Sequence, residues 1–241
     1  MRTGGKKTYI GRRKEREVNW VKPTIIVFGI LLVIIGLYFG VKIAAIRNSP
    51  EFDLTKISAY YFYLPDLSTD ISKIVEANNS LVIVDGNKRV VDIIDIPATL
   101  FVNSSKIDAL NTNPKDFAVA VLGLLQIKSD YVYTVTLKSD YLRKIGVSNI
   151  DEMINTYGKR GLQIFDYFSL KGQVSILRPE SIITDASLAK LYSSLGKFNI
   201  RKHALPLLTQ KPLKITVDEK IYYRTYLDEG KLSGFLEELK K

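Results

Sequence analysis

From Pro23 to Val41 the chain reads PTIIVFGILLVIIGLYFGV, nineteen positions in a row without a charged side chain. A helix of that length rises about 28 Å, close to the roughly 30 Å of a bilayer's hydrocarbon core. Trp20 and Tyr38 stand near its two ends, where amphipathic rings favour the membrane interface. A buried core helix rarely lacks every charge over such a run, and a cleaved signal peptide has an apolar core of only about 7–15 residues. The small-residue pair Ala44-Ala45 follows Lys42 and Ile43, a poor cleavage context. The pattern predicts a retained transmembrane signal anchor over residues 23–47. Gly36 and Gly40 have the GxxxG spacing that permits close pairing of membrane helices.

Beyond Asn48-Ser49-Pro50 the pattern becomes that of a folded domain. The aromatic run Ser58–Pro65 predicts a strand or a membrane-proximal apolar surface. Leu67, Ile71, Ile74 and Val75 have helical spacing within 66–77. Two β-rich runs, Ser80–Asp85 and Arg89–Ile96, flank the turn Asp85-Gly86-Asn87-Lys88 and predict a hairpin. Its first strand is apolar on both faces, as in a sheet covered on both sides. A buried helix is expected over 116–126, an alternating strand over 130–137, and helices over 139–145 and 151–157. Strand pieces are expected at 163–168 and 173–177, a helix at 187–195, strands at 213–217 and 221–226, and a terminal helix over 230–240. Strands alternating with helices predict an α/β fold: three αβα layers around a mixed central sheet, preceded by one N-terminal transmembrane helix. The expected divisions are a basic cytoplasmic tail (1–22), the anchor (23–47), a membrane-proximal segment (48–78) and an extracytoplasmic domain (79–241).

Composition changes this picture mainly through charge. The formal +10 invites a nucleic-acid partner. Residues 1–22, however, carry eight basic and two acidic side chains, a net +6. With Lys42 and Arg47 set aside, residues 48–241 keep only +2. The excess therefore directs the tail to the cytoplasm and the domain outward, a single-pass topology in the cell membrane, and supplies no argument for nucleic acid. The tail can also meet anionic lipid headgroups.

Candidate chemistry is sparse. There is no cysteine, hence no disulfide and no thiolate nucleophile. The single histidine, His203, lies in Arg201-Lys202-His203-Ala204 and reads as a solvated surface residue. The chain has no phosphate-binding glycine loop, nucleophile elbow or HExxH metal motif. Asp85, Asp92 and Asp95 share one hairpin, and Asp85 with Asp95 is the candidate pair for a hard cation, against the plain alternative of solvated charges. The tyrosines at 60, 61, 63, 131, 133, 222 and 223 are candidates for stacking sugars or for filling strands.

The order of these pieces resembles the LytR-CpsA-Psr family of membrane-anchored envelope proteins, over roughly Asn79 to Ile145. The hairpin Ser80-Leu-Val-Ile-Val and Lys88-Arg-Val-Val-Asp-Ile-Ile-Asp-Ile-Pro97 resembles the family's strand, turn and strand ending in Ile-Pro-Arg-Asp-Thr. Lys106-Ile-Asp-Ala-Leu110 is similar to a Lys-Ile-Asn-Ala segment, and Val119–Ile127 followed by Asp130-Tyr-Val-Tyr-Thr-Val is similar to the helix and strand that come next. Leu170-Lys171-Gly172 through Arg178 faintly resembles a later segment leading to another arginine. The resemblance implies a glycopolymer transferred from a polyprenyl diphosphate carrier to the cell wall, with arginines on the pyrophosphate and aspartates on Mg²⁺.

This chain departs from the motif at its centre. Ala98 stands where the arginine is expected, Thr99 where the aspartate is expected, and Asn79 in place of the aspartate that opens the first strand. Three functions follow as expectations. The first is an envelope protein that binds glycopolymer or lipid-linked precursor with impaired or absent catalysis. The second is an active phosphotransferase using other groups, with Lys106 and Arg178 as substrate-binding cations and Asp85 and Asp95 on Mg²⁺. The third is a single-pass scaffold of the division or wall-synthesis machinery that binds envelope proteins.

Overall fold

In a computed structural model the described residues are 21–64, 77–217 and 219–240. The helix expected over 66–77 lies outside them, apart from Ala77, as does Asp218. The described chain falls into two compact units, one up to Lys42 and one from Ile43 onward. In the first, helix α1 (Val21–Arg47) begins; its stretch from Pro23 is long and apolar enough to cross a membrane.

The second unit is built on a five-stranded mixed sheet. Strands β1 (Ser58–Tyr63), β2 (Asn78–Asp85) and β3 (Val90–Pro97) run antiparallel in turn. Two short strands follow, β4 (Phe101–Val102) and β5 (Ile107–Asp108), which pair with each other. Helix α2 (Pro114–Leu124) leads to β6 (Tyr131–Thr136), which adds parallel to β1. Helices α3 (Ser139–Ile145), α4 (Ile150–Arg160), α5 (Asp166–Leu177) and α6 (Asp185–Leu195) precede β7 (Asn199–Ala204), parallel to β3. The sheet order is β6-β1-β2-β3-β7. A separate hairpin, β8 (Leu213–Val217) with β9 (Lys220–Arg224), and helix α7 (Glu229–Lys240) complete the order. Residues 58–63, expected from sequence in a membrane-proximal segment, pair inside this sheet with β2 and β6.

Alternation along the strands divides the apolar residues between two cores. Tyr60, Phe62, Val82, Val84, Val91, Ile93 and Val135 face a layer made by α3 to α6. Ala59, Tyr61, Leu81, Ile83, Ile94 and Ile96 face α2 and α7 through Phe117, Val121, Phe235 and Leu239. Both faces of β2 are covered, as its unbroken apolar run requires. The hairpin turn is fixed by Asp85, whose Oδ1 accepts from the N–H groups of Asn87 and Lys88 at 3.0 and 3.2 Å. A Cβ on Gly86 would fall 1.2 Å from the Leu54 carbonyl oxygen, so this position takes no side chain.

Two sequence expectations are corrected. Residues 163–168 and 173–177 are not strand pieces; 166–177 is one helix. Tyr167, Leu170, Val174 and Leu177 recur at helical spacing and are all buried, and this tertiary burial overrides the weaker helix preference of the aromatics and Gly172. The stretch 201–204 is not a solvated surface but part of β7, with the His203 side chain 5% exposed. Arg201 and His203 project to the same face of the sheet and meet Asp92 there.

Candidate functional site

Two of the three departures from the motif that the sequence resembles, Ala98 and Thr99, lie in the segment after β3. Ala98 is 1% exposed, and its N–H donates to the Ala77 carbonyl at 2.9 Å. Thr99 is equally buried and shares a 2.8 Å hydroxyl hydrogen bond with Thr225. The backbone repeats the link: Thr225 N–H donates to the Thr99 carbonyl and Phe101 N–H to the Thr225 carbonyl, at 2.8 and 2.9 Å. Positions where the family resemblance implies phosphate and metal ligands are therefore committed to the framework. Asn79 is committed likewise. Its Oδ1 accepts from Leu64 N–H at 3.2 Å, and its Nδ2 donates to the Tyr61 hydroxyl at 2.7 Å.

Directly downstream the chain opens a cleft of about 580 Å³. Its lining comes from β4 and the following turn (Phe101, Asn103, Ser104), from the end of α2 (Leu124), and from 208 and 226–232 (Leu208, Tyr226, Leu227, Glu229, Leu232). The size lies within the roughly 300–1,000 Å³ of small-molecule sites, and the pattern of apolar walls with a few polar atoms is theirs too. Phe101 stands edge-on to Tyr226 at 5.7 Å between centroids, and the Arg224 guanidinium lies 4.1 Å over the Phe101 ring. Arg224 also meets Asp108 at 3.4 Å, and Asp108 Oδ1 accepts from Leu110 N–H at 2.9 Å. The cleft thus has a cation against one wall, balanced by a largely buried carboxylate.

The sequence-predicted site residues do not converge. Lys106 is exposed in the β4–β5 turn, three residues from Asn103, with a left-handed φ of 54°. Arg178 ends α5 in the opposite helical layer, where its Nη2 donates to the Ile183 carbonyl at 3.3 Å. Asp85 holds the hairpin turn on the face towards α2 and α7. Asp95 lies towards the other end of β3 and on the opposite face, where burial and Asp151 push its carboxyl above the ordinary range. A single Mg²⁺ does not fit both carboxylates, and no cluster of three His, Asp or Glu side chains occurs among the described residues. Asp92 is occupied: Arg201 grips it with two bonds of 2.7 and 2.8 Å, and His203 Nε2 lies 2.8 Å from its Oδ1.

Sequence reasoning missed Arg224 and the cleft. The available signal was Tyr222, Arg224 and Tyr226, alternate positions in one β-rich run. Nothing local marks Leu124 or Leu208 as neighbours of that run.

No protein-family model matches this chain, and no curated protein matches it. Among solved structures it is similar to the Lin1025 protein of Listeria innocua, at 16% identity and a TM-score of 0.49, over 77% of this chain and 97% of that one. It is also similar to the transcriptional regulator yvhJ of Bacillus subtilis, at 17% identity and 0.46, over 77% and 96%. A third is the LytR-CPS2A-psr family protein YwtF (TagT) with bound octaprenyl pyrophosphate lipid, at 14% identity and 0.42, over 80% and 93%.

Proposed function

We propose that this chain is a membrane-anchored extracytoplasmic protein of cell-envelope biogenesis that binds a glycopolymer or its lipid-linked precursor, with impaired or absent catalysis. One observation carries the proposal: Ala98 and Thr99 are buried in the framework while the residues that follow them open an apolar cleft. Apolar walls suit a lipid or the carbon face of a sugar. Without a guanidinium at 98, a carboxylate at 99 or converging aspartates, charge developing on a transferring phosphoryl group has no partner from the motif. Mg²⁺ enters only under the alternative of an active phosphotransferase. The order of sequence elements and the one apolar span among the described residues, preceded by a basic tail that favours the cytoplasmic side, support the envelope address.

Full-length protein in lipid nanodiscs, titrated with a fluorescent polyprenyl-diphosphate glycan, tests this reading. Octaprenyl pyrophosphate, the lipid held by YwtF, serves as the probe without a glycan. Saturable binding without turnover in Mg²⁺ is the expected result. Transfer of the glycan to a wall acceptor would establish the active phosphotransferase instead. Absence of binding, together with specific capture of an envelope protein, would establish the scaffold.

A further inference from the structure

Most exposed large apolar residues of the second unit stand singly, as on any soluble surface. Ile164 and Phe165 are different. They are adjacent, 64% and 79% exposed, and Phe165 is barer than the exposed large apolar side chains of the apolar helix, where Val41 reaches 70%. The turn that presents them is held at both sides. Asp166 accepts two bonds from Arg160, at 2.9 and 3.1 Å, and one from Gln163 N–H at 2.8 Å. Lys159 and Lys171 are exposed on either side of the pair. A fixed turn that keeps two bulky apolar tips in water is costly unless something covers them.

A second observation names the cover. Tyr167, two residues after Phe165, accepts a 3.0 Å hydrogen bond from Arg47 Nε, and the Arg47 guanidinium lies 5.6 Å from the ring centroid. Arg47 ends α1, six residues beyond Val41, the last position of the uncharged run. Six residues reach at most about 20 Å, whatever the orientation of the span. The turn is therefore tied close to the place where the chain leaves the apolar segment. The geometry points to Ile164 and Phe165 as a second membrane contact, a wedge entering the outer interface of the bilayer while Lys159 and Lys171 meet anionic headgroups. The inference rests on the reading of α1 as a membrane span; the lipid-binding cleft plays no part in it.

The absence of cysteine makes the test direct. Full-length Phe165→Cys, Val119→Cys and Leu31→Cys proteins are each spin-labelled and reconstituted in phosphatidylcholine–phosphatidylglycerol vesicles. Collisions with oxygen, which enters lipid, and with a nickel chelate, which stays in water, are then compared. Val119 is half exposed on α2 in the opposite helical layer and reports water. The label at 165 is expected to meet the nickel chelate about tenfold less often than the label at 119, and oxygen more often. If the label at 165 is as wet as that at 119 while the label at 31 is shielded, the wedge is overturned and the span stands. A wet label at 31 overturns both. Shielding from both reagents with spin–spin broadening assigns the pair to a second copy of the chain, which also overturns the lipid contact.

Discussion

The Asp92 carboxylate, 8% exposed on β3, receives a two-pronged grip from Arg201 on the neighbouring parallel strand. Parallel pairing sets Asp92 opposite Arg201, and the guanidinium fork matches the carboxylate geometry. The pair raises the Arg201 guanidinium above its ordinary value, chiefly through the hydrogen bonds it donates to Asp92. It joins β7, a strand made largely of polar residues, to the rest of the sheet.

Removing the carboxylate charge while keeping its shape should therefore loosen β7. Asp92→Asn is expected to lose about 2 kcal/mol, below the roughly 3–5 kcal/mol of a fully buried broken pair because Arg201 is 21% exposed. Asp85→Asn, at the solvent-facing turn, should change stability by under about 0.5 kcal/mol, since an amide oxygen accepts the same backbone bonds. Urea denaturation of the two variants checks the contrast.

Introducing the arginine and aspartate of the resembled motif at 98 and 99 should not introduce their chemistry. Ala98→Arg forces a long charged side chain into a site 1% exposed, and Thr99→Asp replaces the hydroxyl that bonds Thr225. Each is expected to destabilise by about 3 kcal/mol or more, with Arg the worse because it adds both volume and charge. Thermal unfolding reads the loss. A variant that folds normally and gains Mg²⁺-dependent transfer would contradict the proposed framework role.

The cleft predicts a separation of binding from stability. Leu208 lines it and is 60% exposed, so Leu208→Trp can fill the cavity from its open side without disturbing the core. Affinity for octaprenyl pyrophosphate should fall at least about tenfold while the Tm stays within about 2 °C of the parent. Phe101→Ala removes a wall as well as the ring beneath Arg224, and should weaken both binding and stability. Fluorescence titration and thermal unfolding on the same samples separate the two effects.

What was legible in the sequence followed from local pattern. The β2–β3 hairpin was readable because Asp85-Gly86-Asn87 supplies turn chemistry between β-branched runs, and the apolar helix because no charge interrupts it. Strand β7 was not: Arg201, Lys202 and His203 look solvated until Asp92 is seen opposite them. Helix α5 was obscured by Gly172, although a Cβ there would only touch the Lys144 side chain at 3.9 Å. The departures at Asn79, Ala98 and Thr99 were visible as substitutions, but not the burial that commits them. The cleft was hidden for a different reason, since its walls come from segments far apart in sequence and no single one carries a pattern.

The last prediction concerns pH. Lys190 on α6 is wholly buried and donates to the Lys56 carbonyl and the Ser58 hydroxyl at 2.7 and 2.8 Å. Neither partner is charged, so burial lowers its pKa from 10.5 to about 8, with Asp53 and Asp130 opposing only in part. Below about pH 8 the amine is protonated in both folded and unfolded chains and contributes no slope. Between about 8 and 10.5 the unfolded chain binds the proton more firmly, so folding stability rises with pH. Buried tyrosines act in the opposite sense higher up: burial raises Tyr60, Tyr61, Tyr141 and Tyr192, and stability falls as the unfolded chain loses those protons above about pH 10. The clean window is pH 8 to 9.5. Urea midpoints should climb across it for the parent protein and stay level for Lys190→Met, whatever the variant's baseline stability. A climb of equal steepness in both would show that another group carries the titration.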